Sequence, residues 1–222
     1  SNAGVAAFYT TLAKENDGYS LFLVPADSEG LVTMPSPEII APHVLGELEF
    51  NDVVLNESSR LGEPGAAFRH VLATLSVFRI SVAGAALGVM EGALREAVKH
   101  CSNREQFGRP LAKHGPVATL LADSWADLES SRYLTYQTAS LASVDPGKNL
   151  DRSSLAELAA TEAATRVVDR CVQTMGRWGL IRGSKIEKFY RQARPMRVYE
   201  GASEVLRLGI TARLMSEYND ES

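Results

Sequence analysis

The sequence predicts an α+β fold that is predominantly helical: a partial antiparallel β domain followed by an antiparallel four-helix bundle. Three observations predict it. Short apolar and β-branched runs broken by turn residues fill the stretch from Val5 to Leu55. After Gly62-Glu63-Pro64-Gly65 the apolar spacing switches to threes and fours and stays so. Proline, glycine and capping residues then divide the helical stretch into long segments joined by modest connections.

In the β unit, Phe8 to Leu12 and Tyr19 to Val24 flank Asn16-Asp17-Gly18, a turn signal that reads as a hairpin or tight connection. Leu45 to Leu55 follows Pro35, Pro37 and Pro42, and its alternation at Leu48, Phe50 and Val53 suits a half-buried strand. The first helix carries a stripe of Phe68, Val71, Leu72, Leu75, Phe78, Val82, Val89, Leu94 and Val98. A second starts near Pro116 and carries Leu120, Leu121, Trp125 and Leu128. Asp145-Pro146-Gly147 interrupts the pattern, and a third helix runs from about Ser153 through Leu158, Val167, Val168 and Cys171. The fourth starts around Ala202 with Val205, Leu206, Ile210 and Leu214. Residues 1–60 therefore read as the β domain and 61–222 as the bundle.

A chain of 222 residues makes one large or two small domains with ample core. Its 45% apolar and 23% charged content is ordinary for a soluble protein, no apolar run reads as long enough to span a membrane, and no secretory signal is visible. A net charge of -4 argues against a nucleic-acid-binding surface, and the local basic group Arg191, Arg194 and Arg197 reads as nearer to a phosphate than to a duplex. Cys101 and Cys171 lack zinc or CxxC spacing and read as buried structural thiols in a reducing cytoplasm. His43, His70, His100 and His114 have no metal-ligand spacing, so no metal is expected.

Two motifs and one isolated charge carry the chemistry. Tyr199-Glu200-Gly201-Ala202-Ser203-Glu204-Val205 sets a carboxylate on a glycine turn just before a helix, where it can act as a base or belong to a capping sequence. Arg104-Glu105-Gln106-Phe107-Gly108 offers a guanidinium fork for a pyrophosphate, a flat aromatic face and a turn glycine; on the residues alone it reads first as an ordinary helix-ending turn. Arg79 is a single charge within the first apolar stripe, where an unpaired guanidinium would be costly. It either snorkels or pairs with a glutamate, or it serves a ligand.

These motifs and their spacing resemble the signatures of the flavin-dependent acyl-CoA dehydrogenases, over about Gly4 to Met215. The resemblance implies FAD as cofactor, with Arg104, Gln106 and Phe107 as contacts to the flavin nucleotide of a neighbouring subunit. Gln173-Thr174-Met175-Gly176-Arg177-Trp178-Gly179 resembles the family's glycine turn after the third helix, which adds Gln173 and Gly176; the motif before the last helix adds Gly201 and Glu204. Glu200 takes the role of the base that removes the α-proton of an acyl-CoA thioester while the β-hydrogen leaves as hydride to flavin N5. Arg79 and Ser76 become substrate-side residues. The implied partners are an electron-transfer flavoprotein and further copies of the chain in a homodimer or homotetramer.

The chain departs from the family pattern at Gly115, Arg177, Gln192 and Ala202, where relatives commonly carry glutamine, glycine, aspartate and threonine. Ser1-Asn2-Ala3 reads as the scar of a cleaved tag or as part of the family's own Asn-Ala-Gly stretch. The whole resembles the carboxy-terminal portion of a subunit, the remainder of a middle β domain plus the bundle, and is expected to be inactive alone. Two other readings stand beside the dehydrogenase: a non-catalytic subunit assembled with a complete homologue, and a flavoprotein acting on damaged DNA or nitroalkanes. Acyl chain length, and CoA as against a carrier protein, are left open.

Overall fold

The computed structural model describes residues 1–16, 18–145 and 149–220, in two compact units, Ser1–Leu72 and Ala73–Ser222. In the first unit β1 (Phe8–Glu15) pairs antiparallel with β2 (Gly18–Pro25), from Phe8 opposite Pro25 to Glu15 opposite Gly18. The expected turn between them includes Asp17, which lies outside the described residues. β3 (Leu31–Pro35) and β4 (Gly46–Phe50) form a separate two-stranded sheet, and β5 (Arg60–Leu61) adds to the far edge of β2. The expected Leu45–Leu55 strand is shorter than its pattern because Asp52 adopts a left-handed φ of 51°, which ends the extended backbone before Val53. Ser20 is fully buried between these strands: it donates to the Glu15 carboxylate, accepts from the Gly65 amide at 3.0 Å, and Arg60 closes the group as an ion pair with Glu15.

Helix α1 (Ala67–Asn103) starts at the end of the first unit and continues through the second. A two-residue hairpin, β6 (Glu105–Gln106) with β7 (Arg109–Pro110), follows it. Then come α2 (Gly115–Val144), α3 (Leu150–Met175), α4 (Lys185–Ala193) and α5 (Ser203–Asp220). The second helix has proline in its first turn as expected. Of the break at Asp145-Pro146-Gly147, Pro146 and Gly147 lie outside the described residues. The bundle has five helices among the described residues where the sequence predicted four. The added one, α4, is short, but its start is chemically marked: Ser184 caps it by accepting from the Glu187 amide, and the Glu187 carboxylate accepts from Gly183 N at 2.9 Å.

The core lies between α1, α2 and α3 and consists largely of small residues. Ala83, Ala86, Ala93 and Ala97 of α1 meet Ala156, Ala160, Ala163 and Ala164 of α3, with Met90, Val167 and Val168 as the larger fillers. The expected stripe on the first helix is corrected in part: Val89 is in the core and Leu94 packs against it, but Phe68, Leu72, Phe78 and Val98 are exposed, and the buried line is otherwise mostly alanine. Trp125 of α2 and Val205 and Leu214 of α5 are exposed likewise. The inner face of α2 is built from hydroxyls: Ser124, Ser131, Thr135 and Thr138 are buried, and each bonds to the carbonyl one turn earlier in its own helix. Side chains this short allow close packing, and the back-bonds remove the cost of burying their oxygens.

The expectation that no apolar run could span a membrane is corrected for α1, which is long and apolar enough to cross one. An alanine-lined helix reaches that composition because a core-facing side must be apolar along its whole length.

Met90 is the largest fully buried side chain. Met90→Ala should therefore cost about 2–5 kcal/mol, seen as a lowered midpoint of urea unfolding; a loss below about 1 kcal/mol would mean that the small neighbours collapse into the space.

Candidate functional site

Two of the cavities in the second unit collect expected site residues; another, of about 480 Å³ and lined by Glu91, Leu94, Trp125 and Arg132 among others, collects none. The first is organised by Arg79, whose side chain is only 11% exposed. Helix α1 projects it toward α3, where Ser154 and Glu157 stand one turn apart on the same face. Arg79 Nη1 donates to Ser154 Oγ at 2.9 Å, and Nε donates to the backbone carbonyl of Glu200 at 3.3 Å while lying 3.4 Å from Glu157 Oε2. Of the alternatives that the sequence posed for Arg79, pairing with a glutamate is the one seen; the side chain also reaches the motif before the last helix. Gly201 makes this approach possible, because a Cβ there would stand 2.7 Å from Leu206 Cδ2 and 3.2 Å from Arg79 Nη2.

Glu200 itself is half-buried and adopts φ 59°, a left-handed conformation rare outside glycine. A cleft of about 620 Å³ opens on the other side of Arg79, lined by Arg79, Leu150, Asp151, Ser154, Val205, Leu206, Gly209 and Arg213; Glu200 is not among its lining residues. Ser76, one turn before Arg79, is fully buried and donates to the Ala73 carbonyl at 2.7 Å. Glu204 is exposed on the first turn of α5, 4.0 Å from Arg207. Neither lines the cleft.

Glu157 was not identified from sequence, and it is the one carboxylate in the buried set among the described residues. Neither of its oxygens has a hydrogen-bond partner among them. Burial pushes its carboxyl from 4.5 up to about 8, against the pull of Arg79 and with a further push from Glu200. Tyr199 is raised as well, first by burial and then by the same two carboxylates. The signal was present: one acidic residue on the face of α3 that carries Ala156, Ala160 and Ala164, flanked one turn away by the short hydroxyl side chains of Ser153, Ser154 and Thr161.

The second site collects most of the expected cofactor residues. Arg104, Gln106, Gln173 and Gly176 line one cavity of about 470 Å³, together with His100 and Trp178. The end of α1 and the β6–β7 hairpin supply one wall, and the end of α3 supplies the other. Phe107 and Gly108 both take positive φ, 52° and 76°, the geometry of a two-residue type I′ turn. Phe107 is thereby held 94% exposed at the hairpin tip, edge-on to the His114 ring at 6.0 Å, and His114 Nε2 contacts the Gln106 carbonyl at 3.0 Å. A large aromatic in a left-handed turn, turned to solvent, is strain without burial in return. Gly176 (φ 57°) ends α3 and leaves open space where a side chain would stand. Arg177 lines the same cavity with its guanidinium over the Trp178 ring at 5.3 Å, so the residue that replaces a family glycine forms wall. Burial, helped by Arg104, lowers His100.

No group of histidine, cysteine and carboxylate side chains able to hold a metal forms among the described residues. Cys101 and Cys171 are both fully buried, and burial raises the Cys171 thiol to about 12.

Residues 66–215 match the family model of the acyl-CoA dehydrogenase C-terminal domain. The chain is 36% identical over 221 residues to the mitochondrial short-chain specific acyl-CoA dehydrogenase of Rattus norvegicus, covering 98% of this chain and 53% of that protein. It is 34% identical over 216 residues to the CarC subunit of the caffeyl-CoA reductase-Etf complex of Acetobacterium woodii, covering 94% of this chain and 55% of that one. Among solved structures, butyryl-CoA dehydrogenase from Megasphaera elsdenii superposes with a TM-score of 0.88 at 30% identity, over 96% of this chain and 57% of that chain. The chain spans about half the length of these relatives.

The raised Glu157 carboxyl carries a pH signature. The unfolded chain releases this proton near 4.5 and the folded chain keeps it to about 8, so the stability present below the first value is lost as pH rises through the second. Glu157→Gln removes the titration. In urea unfolding its stability relative to the unsubstituted chain should rise from about pH 5 to about pH 9; an unchanged difference would show that Glu157 does not titrate in this window.

Proposed function

Because this chain belongs to the acyl-CoA dehydrogenase family, we propose that it forms the base-bearing half of an FAD-dependent enzyme that oxidises an acyl-CoA thioester between its α and β carbons. The observation that carries the proposal is the Glu200 turn, strained at φ 59°, its carbonyl held by Arg79 from α1 and its glycine neighbour fitted against Leu206. A carboxylate so placed need not search for its position when a thioester arrives, and that preorganisation is what a general base requires.

In this reading Glu200 takes the α-proton, and its own backbone amide donates to the thioester carbonyl. Arg79 acts through position: it fixes the Glu200 carbonyl and with it the direction of the following amide. Val205 and Leu206 give the cleft an apolar wall suited to an acyl chain. FAD, when bound, supplies the acceptor for the β-hydride. The cavity beside the hairpin fits the diphosphate portion of that cofactor: Arg104 is exposed and presents a bidentate donor, Gly176 leaves the backbone open to close approach, and Phe107 offers a ring face. Because that cavity lies at the other end of α1 from Arg79, we assign it to the cofactor of a neighbouring copy, which makes the protein an oligomer, a dimer or tetramer. An electron-transfer flavoprotein is the proposed redox partner, supported by the similarity to a subunit of an Etf complex.

The test is the visible spectrum of the intact gene product that carries this chain, loaded with FAD, during anaerobic titration with a panel of acyl-CoA thioesters. One thioester should bleach the flavin, and Glu200→Gln should slow that bleaching by about 10²–10⁴-fold. Flavin that no thioester bleaches would sink the dehydrogenase reading and favour a non-catalytic subunit. Separately, Arg104→Ala should weaken FAD retention through gel filtration by roughly tenfold or more, as loss of a charge-assisted bond worth about 1.5–3 kcal/mol would. Full retention would remove the hairpin cavity from the cofactor site.

A further inference from the structure

The dehydrogenase reading gives Glu200 and Arg79 their tasks but leaves Glu157 without one. Core carboxylates are ordinarily satisfied by donors, and this one has no hydrogen bond to either oxygen among the described residues. Its close polar contact is the same Arg79 nitrogen that donates to the Glu200 carbonyl, at 3.4 Å and 3.3 Å. One guanidinium nitrogen therefore sits between the side chain of one carboxylate and the backbone of the other. The charges that bear on Glu157 are Arg79 from α1 and Glu200 from the segment before α5, with the Tyr199 phenol coupled to both carboxylates from that same segment. On its own helix its polar neighbours are the hydroxyls of Ser154 and Thr161, one of which is taken up with Arg79.

Resting on the assignment of Glu200 as the base, we propose that Glu157 is a positioning residue for proton abstraction, holding Arg79 against the Glu200 backbone and setting, by its own ionisation, the net charge that Glu200 works against. When Glu157 is neutral, Arg79 and an ionised Glu200 balance one another. When Glu157 is ionised, the group carries one net negative charge in a site from which water is largely excluded, and such a charge acts strongly there. The reaction should therefore register the ionisation of Glu157, a residue that touches neither substrate nor cofactor.

The experiment measures the rate of flavin reduction in the same FAD-loaded gene product by its bleaching thioester across pH, for the unsubstituted protein, Glu157→Gln, Glu157→Asp and Glu200→Gln. The unsubstituted protein should show a rate titration near the Glu157 value of about 8; Glu157→Gln should lose it and Glu157→Asp should keep it, displaced. A Glu157→Gln profile that superimposes on the unsubstituted one, with Glu200→Gln inactive, overturns this inference and leaves the base assignment standing. Glu200→Gln that reduces flavin at the full rate overturns both. Should Glu157→Gln fail to fold, carbon-13 titration of the Glu157 carboxyl decides: it should move down in Glu200→Gln and up in Arg79→Gln, and an unmoved titration overturns the coupling.

Discussion

The arrangement depends on one buried cation. Arg79 enters the bundle from α1, and a guanidinium that is 11% exposed must find acceptors or destabilise the fold. It finds three, on two other elements: the Ser154 hydroxyl, the Glu157 carboxylate and the Glu200 carbonyl. The third acceptor is not in regular structure. Tying it to Arg79 holds the loop before α5 in a conformation that its own sequence would not choose, with Glu200 left-handed and Gly201 admitted into a space where alanine would clash. Core packing and site geometry are therefore the same interaction seen from two sides.

That cation can reach α3 because the helices are faced with small residues. Alanines of α1 and α3 share one core, and the hydroxyl-lined face of α2 packs closely on α3 while satisfying its oxygens internally. The same economy of side chains explains what the sequence concealed. Helix boundaries were legible because they rest on local chemistry, on Pro116, on the Gly62–Gly65 turn and on the break after Val144. Which face of α1 is buried was legible only in part, because periodicity weighs large apolar residues and the buried line is mostly alanine. Of the large residues in the expected stripe, Val89 and Leu94 reach the core, whereas Phe68, Phe78 and Val98 are exposed. On α2 the expected apolar pattern found Leu121 and Leu128, but most of the buried face is hydroxyl by residue type and gives no hydrophobic signal.

The site was legible unevenly for a related reason. Motifs that are contiguous in sequence, Arg104 to Gly108 and Tyr199 to Val205, could be read because their turn residues advertise them, and four of the residues drawn from them and from the α3 turn do share one cavity. Contacts made across the fold could only be posed as alternatives. Arg79 needed a partner, but sequence does not say which glutamate among many is buried. Helix α4 was missed although Ser184 and Glu187 stand at capping-box spacing, because nine residues with a charged face carry little apolar weight. β3 was missed because its five residues end in proline and pair only with β4.

Two strained residues mark the two sites. Among the described residues of the second unit, the non-glycine positions with positive φ are Phe107 and Glu200, one at each of these sites. Strain of order 1–3 kcal/mol persists only where the surroundings over-determine it. At Glu200 the surroundings are visible: Arg79, Leu206 and the glycine between them. At Phe107 they are a two-residue turn and an edge contact with His114, and the ring faces solvent. A turn of that kind would accept asparagine or glycine more cheaply, so the side chain itself is the reason for the choice. An exposed aromatic ring gains nothing inside this chain; it gains only if another surface covers it. The strain at Glu200 is thus accounted for by Arg79, Leu206 and Gly201, whereas Phe107 has only the edge contact with His114 and an exposed ring, which is consistent with the proposal that a neighbouring copy covers it.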